Sequence, residues 1–191
     1  MKRIHSFDLI YDSQQLYRVI LEACANPGRA LPVRKFAEKM YGSQPAMLAV
    51  AVTLLDNEVS FCTGGDEELS SQIIALTLAH EAGPEDADFI FVTEQSKLPE
   101  LMRRAKSGTL TDPHKSATLI IDTSGSEQTD IKISGPGIRD LMTLTTAATA
   151  RQALTLRKDQ YHEYPQGIDL MFISENQELM MLPRLVTQEV F

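Results

Sequence analysis

Tyr164-Pro165-Gln166-Gly167-Ile168-Asp169-Leu170-Met171-Phe172-Ile173, followed across Ser174-Glu175-Asn176-Gln177 by Glu178-Leu179-Met180-Met181-Leu182-Pro183-Arg184, sets the architecture. Two apolar runs of strand length flank a polar connection short enough only for a hairpin. From Ile168 to Ile173 every residue but Asp169 is apolar, and so are all four from Leu179 to Leu182. Strands this uniformly apolar are buried on both faces, which places the hairpin inside a layered domain and not at a solvent edge.

Pro165 has no N–H for a ladder and Gly167 tolerates backbone angles closed to other residues, so Pro-x-Gly marks the bend into the first strand. A loop with an even number of residues centred on Glu175-Asn176 sets 173 against 178 and 169 against 182. Arg184 is then the diagonal neighbour of Asp169 on the same face. A turn one residue later puts the two directly opposite, while an odd loop breaks the pairing. An Asp169–Arg184 pair, buried or half-buried, is therefore expected, and such a pair is more often structural than catalytic.

Outward from the hairpin, helical spacing of Leu16, Val19, Ile20, Ala23 and Cys24 predicts a helix capped at Asp12-Ser13 and stopped by Asn26-Pro27-Gly28. Leu31-Pro32-Val33 reads as a short extended piece and Arg34 to Met40 as weakly helical. Ser43-Gln44-Pro45 opens a second helix, with Ser43 as cap and Pro45 in the first turn, apolar on most sides and so a core helix. Val59 to Cys62 is a short strand ended by Gly64-Gly65, and a third helix runs from Asp66 to His80. Asp88 to Val92 is a strand, Leu98 to Lys106 a short helix, and Ser116 to Ile121 a further strand. Asp130 to Ser134 alternates as a half-exposed strand, ended by Gly135-Pro136-Gly137, with Ile138 starting a possible helix. Leu141 to Leu144 reads as extended and the alanine-rich run from Thr146 to Leu156 as helical. The fold class is α/β: one layered domain over 1–191, with a mixed central sheet and flanking helices.

A chain of 191 residues can bury roughly 70% of its unfolded surface without staples. No apolar stretch approaches the ~20 residues of a membrane span. The start, Met1-Lys2-Arg3-Ile4-His5-Ser6-Phe7-Asp8, is basic but lacks the apolar core and cleavage site of a signal peptide, so a cytoplasmic protein is expected. Eighteen basic against 26 acidic residues give −8, which argues against a general nucleic-acid surface. Cys24 and Cys62 form no Cys-x-x-Cys pair and sit in apolar surroundings that favour buried, reduced thiols.

Chemistry is sparse. His5, His80, His114 and His162 are scattered, with no pair at ligand spacing, so no metal site is expected. No nucleophile stands beside an evident base, and no catalytic residue is assigned. Strand, Gly135-Pro136-Gly137 and helix start would make a physically sensible anion site with Arg139 close by, although a simple turn explains the same residues.

Several segments together resemble a known family. Asn26-Pro27-Gly28 after a helix, Leu54-Leu55-Asp56-Asn57-Glu58-Val59, Ser107-Gly108-Thr109 with Pro113 before Ala117-Thr118-Leu119-Ile120, Gly135-Pro136-Gly137-Ile138, and Tyr164-Pro165-Gln166-Gly167-Ile168-Asp169-Leu170 followed by Leu182-Pro183-Arg184 resemble the PhnH family. This is a subunit family of the bacterial carbon-phosphorus lyase system. Tyr164 stands where the family would have Phe, and Leu185 to Glu189 and Ala82-Gly83 diverge.

The resemblance implies a fold similar to the large domain of pyridoxal-phosphate transferases, without the cofactor. No lysine here stands in a recognisable cofactor motif. It also implies a homodimer that joins PhnG, PhnI and PhnJ and, with PhnL, supports displacement of adenine from ATP by a phosphonate. The product is ribose 1-phosphonate 5-triphosphate, and the nucleosidase chemistry is attributed to PhnI, so no catalytic residue carries over. The leading expectation is a required, non-catalytic subunit, with Gly135, Gly137, Arg139, Pro165, Gly167, Asp169, Pro183 and Arg184 as structural or binding candidates. The alternative is a stand-alone transferase or phosphate-ligand enzyme using the Gly135-Pro136-Gly137 loop.

Overall fold

The computed structural model describes residues 5–160 and 162–189, so the basic opening Met1 to Ile4 lies outside the described residues. In chain order, helix α1 (Tyr11–Ala25) leads to strand β1 (Leu31–Pro32), the one-turn α2 (Arg34–Ala37) and α3 (Pro45–Leu54). Next come β2 (Ser60–Cys62), α4 (Glu67–Thr77), β3 (His80–Glu81), β4 (Phe89–Val92) and α5 (Leu98–Arg104). Then follow β5 (Thr118–Asp122), β6 (Gln128–Ser134), β7 (Met142–Ala147), α6 (Ala148–Asp159), β8 (Asp169–Ile173), β9 (Glu178–Leu182) and β10 (Thr187–Glu189).

Among the described residues, seven strands form one mixed sheet in the order β1-β9-β8-β5-β4-β2-β3. β8 runs parallel to β5 and antiparallel to β9, so the hairpin is interior, as its apolar run requires. Its side chains alternate between two cores. Met171, Ile173, Leu179 and Met181 join Phe61, Phe91 and Ile120 in a core that includes Leu16 of α1, Phe36 of α2, Met47 of α3 and Ile73 of α4. Leu170, Phe172, Met180 and Leu182 join Ile90, Leu119 and Ile121 on the other face, against Leu98 of α5 and Leu154 of α6. A second, antiparallel sheet, β10-β6-β7, adds Ile131 and Ile133 to this latter core.

The hairpin register differs from the even loop expected. Leu170 faces Leu182 and Ile173 faces Leu179, so the connection is odd. Ser174 N–H donates to Glu178 O and Gln177 N–H to Ser174 O, with Gln177 left-handed at φ +57°. This is the three-residue hairpin with a bulge residue in the left-handed region.

Four boundaries are corrected. α1 begins before Asp12-Ser13, because Asp8 accepts from the Ile10 and Tyr11 N–H groups. Ser43 does not cap α3, whose N-cap is Gln44 without a side-chain bond. α4 stops at Thr77, since Leu78 turns left-handed at φ +63° and Thr77 Oγ1 accepts the Ala79 N–H. His80 therefore lies in strand β3 and not in a helix. No helix begins at Ile138: Gly135 to Leu141 is the hairpin loop joining β6 to β7, which pair antiparallel.

Candidate functional site

Asp169 opens β8, and Arg184 follows β9 by two residues. The Arg184 backbone N–H donates to Asp169 Oδ1 at 2.7 Å, Nε donates to the same oxygen at 3.2 Å, and Nη2 bonds Oδ2. The pair forms despite the odd register because the ladder ends at Leu182, so strand alternation no longer governs where Arg184 points. Arg184 Nη1 also donates to the Pro113 carbonyl. Side-chain exposures of 20% and 18% make this a partly buried, fork-shaped ion pair.

The bend beside it is built by backbone contacts. Gly167, at φ +142°, donates its N–H to Ser107 O at 3.0 Å, and a Cβ there would stand 3.1 Å from Arg184 Cβ. Gln166 Nε2 reaches Gly108 O at 3.0 Å. Behind them Arg157, on the buried Ala150, Ala153, Leu154 stripe of α6, donates to Ile168 O at 3.0 Å, Leu182 O at 2.9 Å, Pro183 O at 3.3 Å and Val186 O. Burial pushes its guanidinium down to about 10, with Asp169 pulling the other way, so it stays cationic at neutral pH.

Gly135 and Gly137 are clamped rather than open. A Cβ on Gly135 would meet Leu185 O at 2.6 Å, and one on Gly137 would meet Pro27 Cδ at 2.8 Å. With no helix behind them, the anion site expected from helix dipole and glycines lacks one of its two parts. A cleft of about 550 Å³ opens here, lined by Gly137, Pro165, Asp169, Pro183 and Arg184 together with Cys24 and His114. Gly135 packs just behind it. Arg139 instead lines a separate cleft beside Asn26 to Arg29 and Met142.

Cys24 is only partly buried, not enclosed as expected, while Cys62 is buried. Burial pushes the Cys24 thiol up, and Asp169 adds to the effect, so it is a poor thiolate nucleophile. Among the described residues no group of three or more histidines, cysteines or carboxylates is placed to hold a metal. Nor is any helix of these residues long and apolar enough to cross a membrane. Sequence reasoning missed Arg157. Its only signal was its place at i+7 from Ala150 and i+3 from Leu154 on one helical stripe.

A family model described as bacterial phosphonate metabolism protein (PhnH) matches residues 6–189. The chain belongs to the PhnH family. No curated protein matches it. Membership places this PhnH chain in bacterial phosphonate metabolism. The segments that carry the PhnH resemblance are not scattered in space. Pro27, Gly108 with Pro113, Gly137, and the Pro165 to Asp169 stretch with Pro183-Arg184 meet around this one cleft. Leu54 to Val59 stands apart, at the turn between α3 and β2, where Asp56 Oδ1 accepts the Glu58 N–H.

Proposed function

We propose that this PhnH chain is a required, non-catalytic subunit of the carbon-phosphorus lyase core complex. In this reading it is a cytoplasmic homodimer that joins PhnG, PhnI and PhnJ. With PhnL it supports displacement of adenine from ATP by a phosphonate, giving ribose 1-phosphonate 5-triphosphate. The observation that carries the proposal is the family match across residues 6–189. The site's chemistry supports it. Its two charged side chains are engaged with each other within the chain: Asp169 with Arg184, and Arg184 with Asp169 and Pro113. Such groups hold a shape; they do not act as acid, base or nucleophile.

The same proposal includes a fold akin to the large domain of pyridoxal-phosphate transferases, used without the cofactor. A Schiff base needs a lysine, and none lines the Asp169–Arg184 cleft. The alternative of a stand-alone phosphate-ligand enzyme is weakened by the clamped Gly135 and the missing helix start at Ile138.

Co-expression tests the proposal. The tagged chain, produced with PhnG, PhnI and PhnJ, is expected to co-purify, and adenine release is expected to vanish when it is omitted. Full adenine release without it would refute the subunit role.

A further inference from the structure

Arg157 is a buried cation whose acceptors, the carbonyls of Ile168, Leu182, Pro183 and Val186, are all uncharged. Carbonyl dipoles replace part of the lost hydration but do not cancel the charge, so a buried guanidinium is ordinarily matched by a carboxylate. Among the described residues none forms an ion pair with it. Asp169 acts on it through space but is held by Arg184.

Beside Arg157 a cavity of about 470 Å³ opens between α6, β10 and the bend at Gly167 and Arg184. Among the described residues that line it, Glu189 is the only carboxylate. Glu189 accepts from Ser134 Oγ at 2.8 Å and is matched in count by Lys158, which is exposed at the rim. Arg184 brings its own Asp169. His162 also lines the cavity, but burial pushes its imidazole down, so it adds no charge at neutral pH. The lining therefore carries one positive charge in excess, and that charge belongs to Arg157.

A second observation points the same way. Gln188 of β10 lines this cavity, and its amide oxygen is enclosed without a hydrogen-bond partner among the described residues. Turning the amide over by half a rotation sets its NH2 at the same place as a donor. A cation without a counter-charge and an amide without a partner, on one cavity, are together complementary to an oxyanion. Arg157, Gln188 and Lys158 are three separate donors, which suits the three terminal oxygens of a phosphate better than the two of a carboxylate. Leu154, Leu185 and Val186 make an apolar wall with room for an organic group beside the anion.

We propose that this cavity binds the phosphate or phosphonate group of a small organic anion, between Arg157 and Gln188, with Lys158 at its entrance. Arg184 is shared with the Asp169–Arg184 cleft, but Arg157, Lys158 and Gln188 are not. The site goes beyond the subunit role, since binding needs no other chain and no bond is made or broken.

Thermal melting and NMR on the full chain at constant ionic strength test it. Inorganic phosphate is expected to raise the melting temperature saturably where sodium chloride does not. It should shift the Gln188 side-chain amide and the β10 backbone amides while leaving those of α3 in place. Lys158→Glu is expected to weaken binding tenfold or more, whereas Arg18→Glu, the same charge change at an exposed position of α1, should leave it unaltered. Methylphosphonate and AMP are titrated in parallel, and the tightest of the three identifies the source of the anion. No saturation with any of them, shifts that miss β10, or full affinity in Lys158→Glu overturns the proposal. So does acetate binding as tightly as phosphate, which would make the cavity a socket for a carboxylate side chain. The shifts in the unaltered protein decide alone if Lys158→Glu fails to fold. None of these results touches the subunit role, which co-expression tests.

Discussion

Both carboxylate oxygens of Asp169 are committed to Arg184, and Nη1 of the arginine donates to a carbonyl seventy-one residues away along the chain, at Pro113. Removing one member of so enclosed a pair leaves the other desolvated and alone. Asp169→Ala is expected to cost about 3 kcal/mol in urea unfolding, against well under ~1 kcal/mol for an exposed pair. Gly167 makes the complementary prediction. Its φ of +142° and the 3.1 Å approach to Arg184 leave no room for a branched side chain, so Gly167→Val should cost more than about 1 kcal/mol. An unchanged urea midpoint for either variant would contradict the contact assigned to it. The residues of this pair were legible in the sequence, but the route to them was not. The expected pairing followed strand alternation, whereas the chain makes it by leaving the strand.

Among the elements, those with strong local patterns were the legible ones: the β8–β9 hairpin, the uniformly apolar α3, and β4 and β5. The errors cluster where tertiary contacts decide. Leu78 ends α4 through a left-handed turn that its own residue type disfavours, and the Gly135 to Leu141 loop closes a hairpin where glycine and helix start looked equally natural. Arg157 shows the limit most clearly. Basic residues in a last helical turn ordinarily face solvent, yet this one is 7% exposed and gathers carbonyls from Ile168, Leu182, Pro183 and Val186. Arg157→Met keeps the packing volume and removes the donors, so it should cost about 3 kcal/mol and raise amide exchange in β10 more than in β4. Equal exchange in the two strands would show that Arg157 does not hold the C-terminal segment.

Across the whole molecule the sign of charge sets the acid limit. Burial pushes the Asp12 carboxyl up, but hydrogen bonds from Lys39 and the Asp8 N–H outweigh it and hold the group below its ordinary value. Lys39 Nζ lies 2.7 Å from Asp12 Oδ1, tying α1 to the turn after α2. Asp88 behaves alike through Lys106 and Ser60. A carboxyl depressed on folding contributes stability that is complete above its unfolded value of about 3.9 and is lost as pH falls through the lower folded value. The melting temperature should therefore fall steeply below about pH 4. Asp12→Asn should melt lower at neutral pH yet lose less on acidification. An unchanged acid slope in Asp12→Asn would mean that Asp12 does not contribute.

The large sheet places β9 between β1 and β8, so Leu31 finds its partner only at Leu179, across most of the chain. Such a closure is slow, because the entropy of the long intervening loop must be overcome before the pairing contributes anything. The β8–β9 hairpin is local and can form early, but until it docks, β5 is left with one side open. Folding of this protein is therefore timed by the arrival of one hairpin, and an interrupted chain would display the hydrophobic flank of β5 to whatever strand reaches it first.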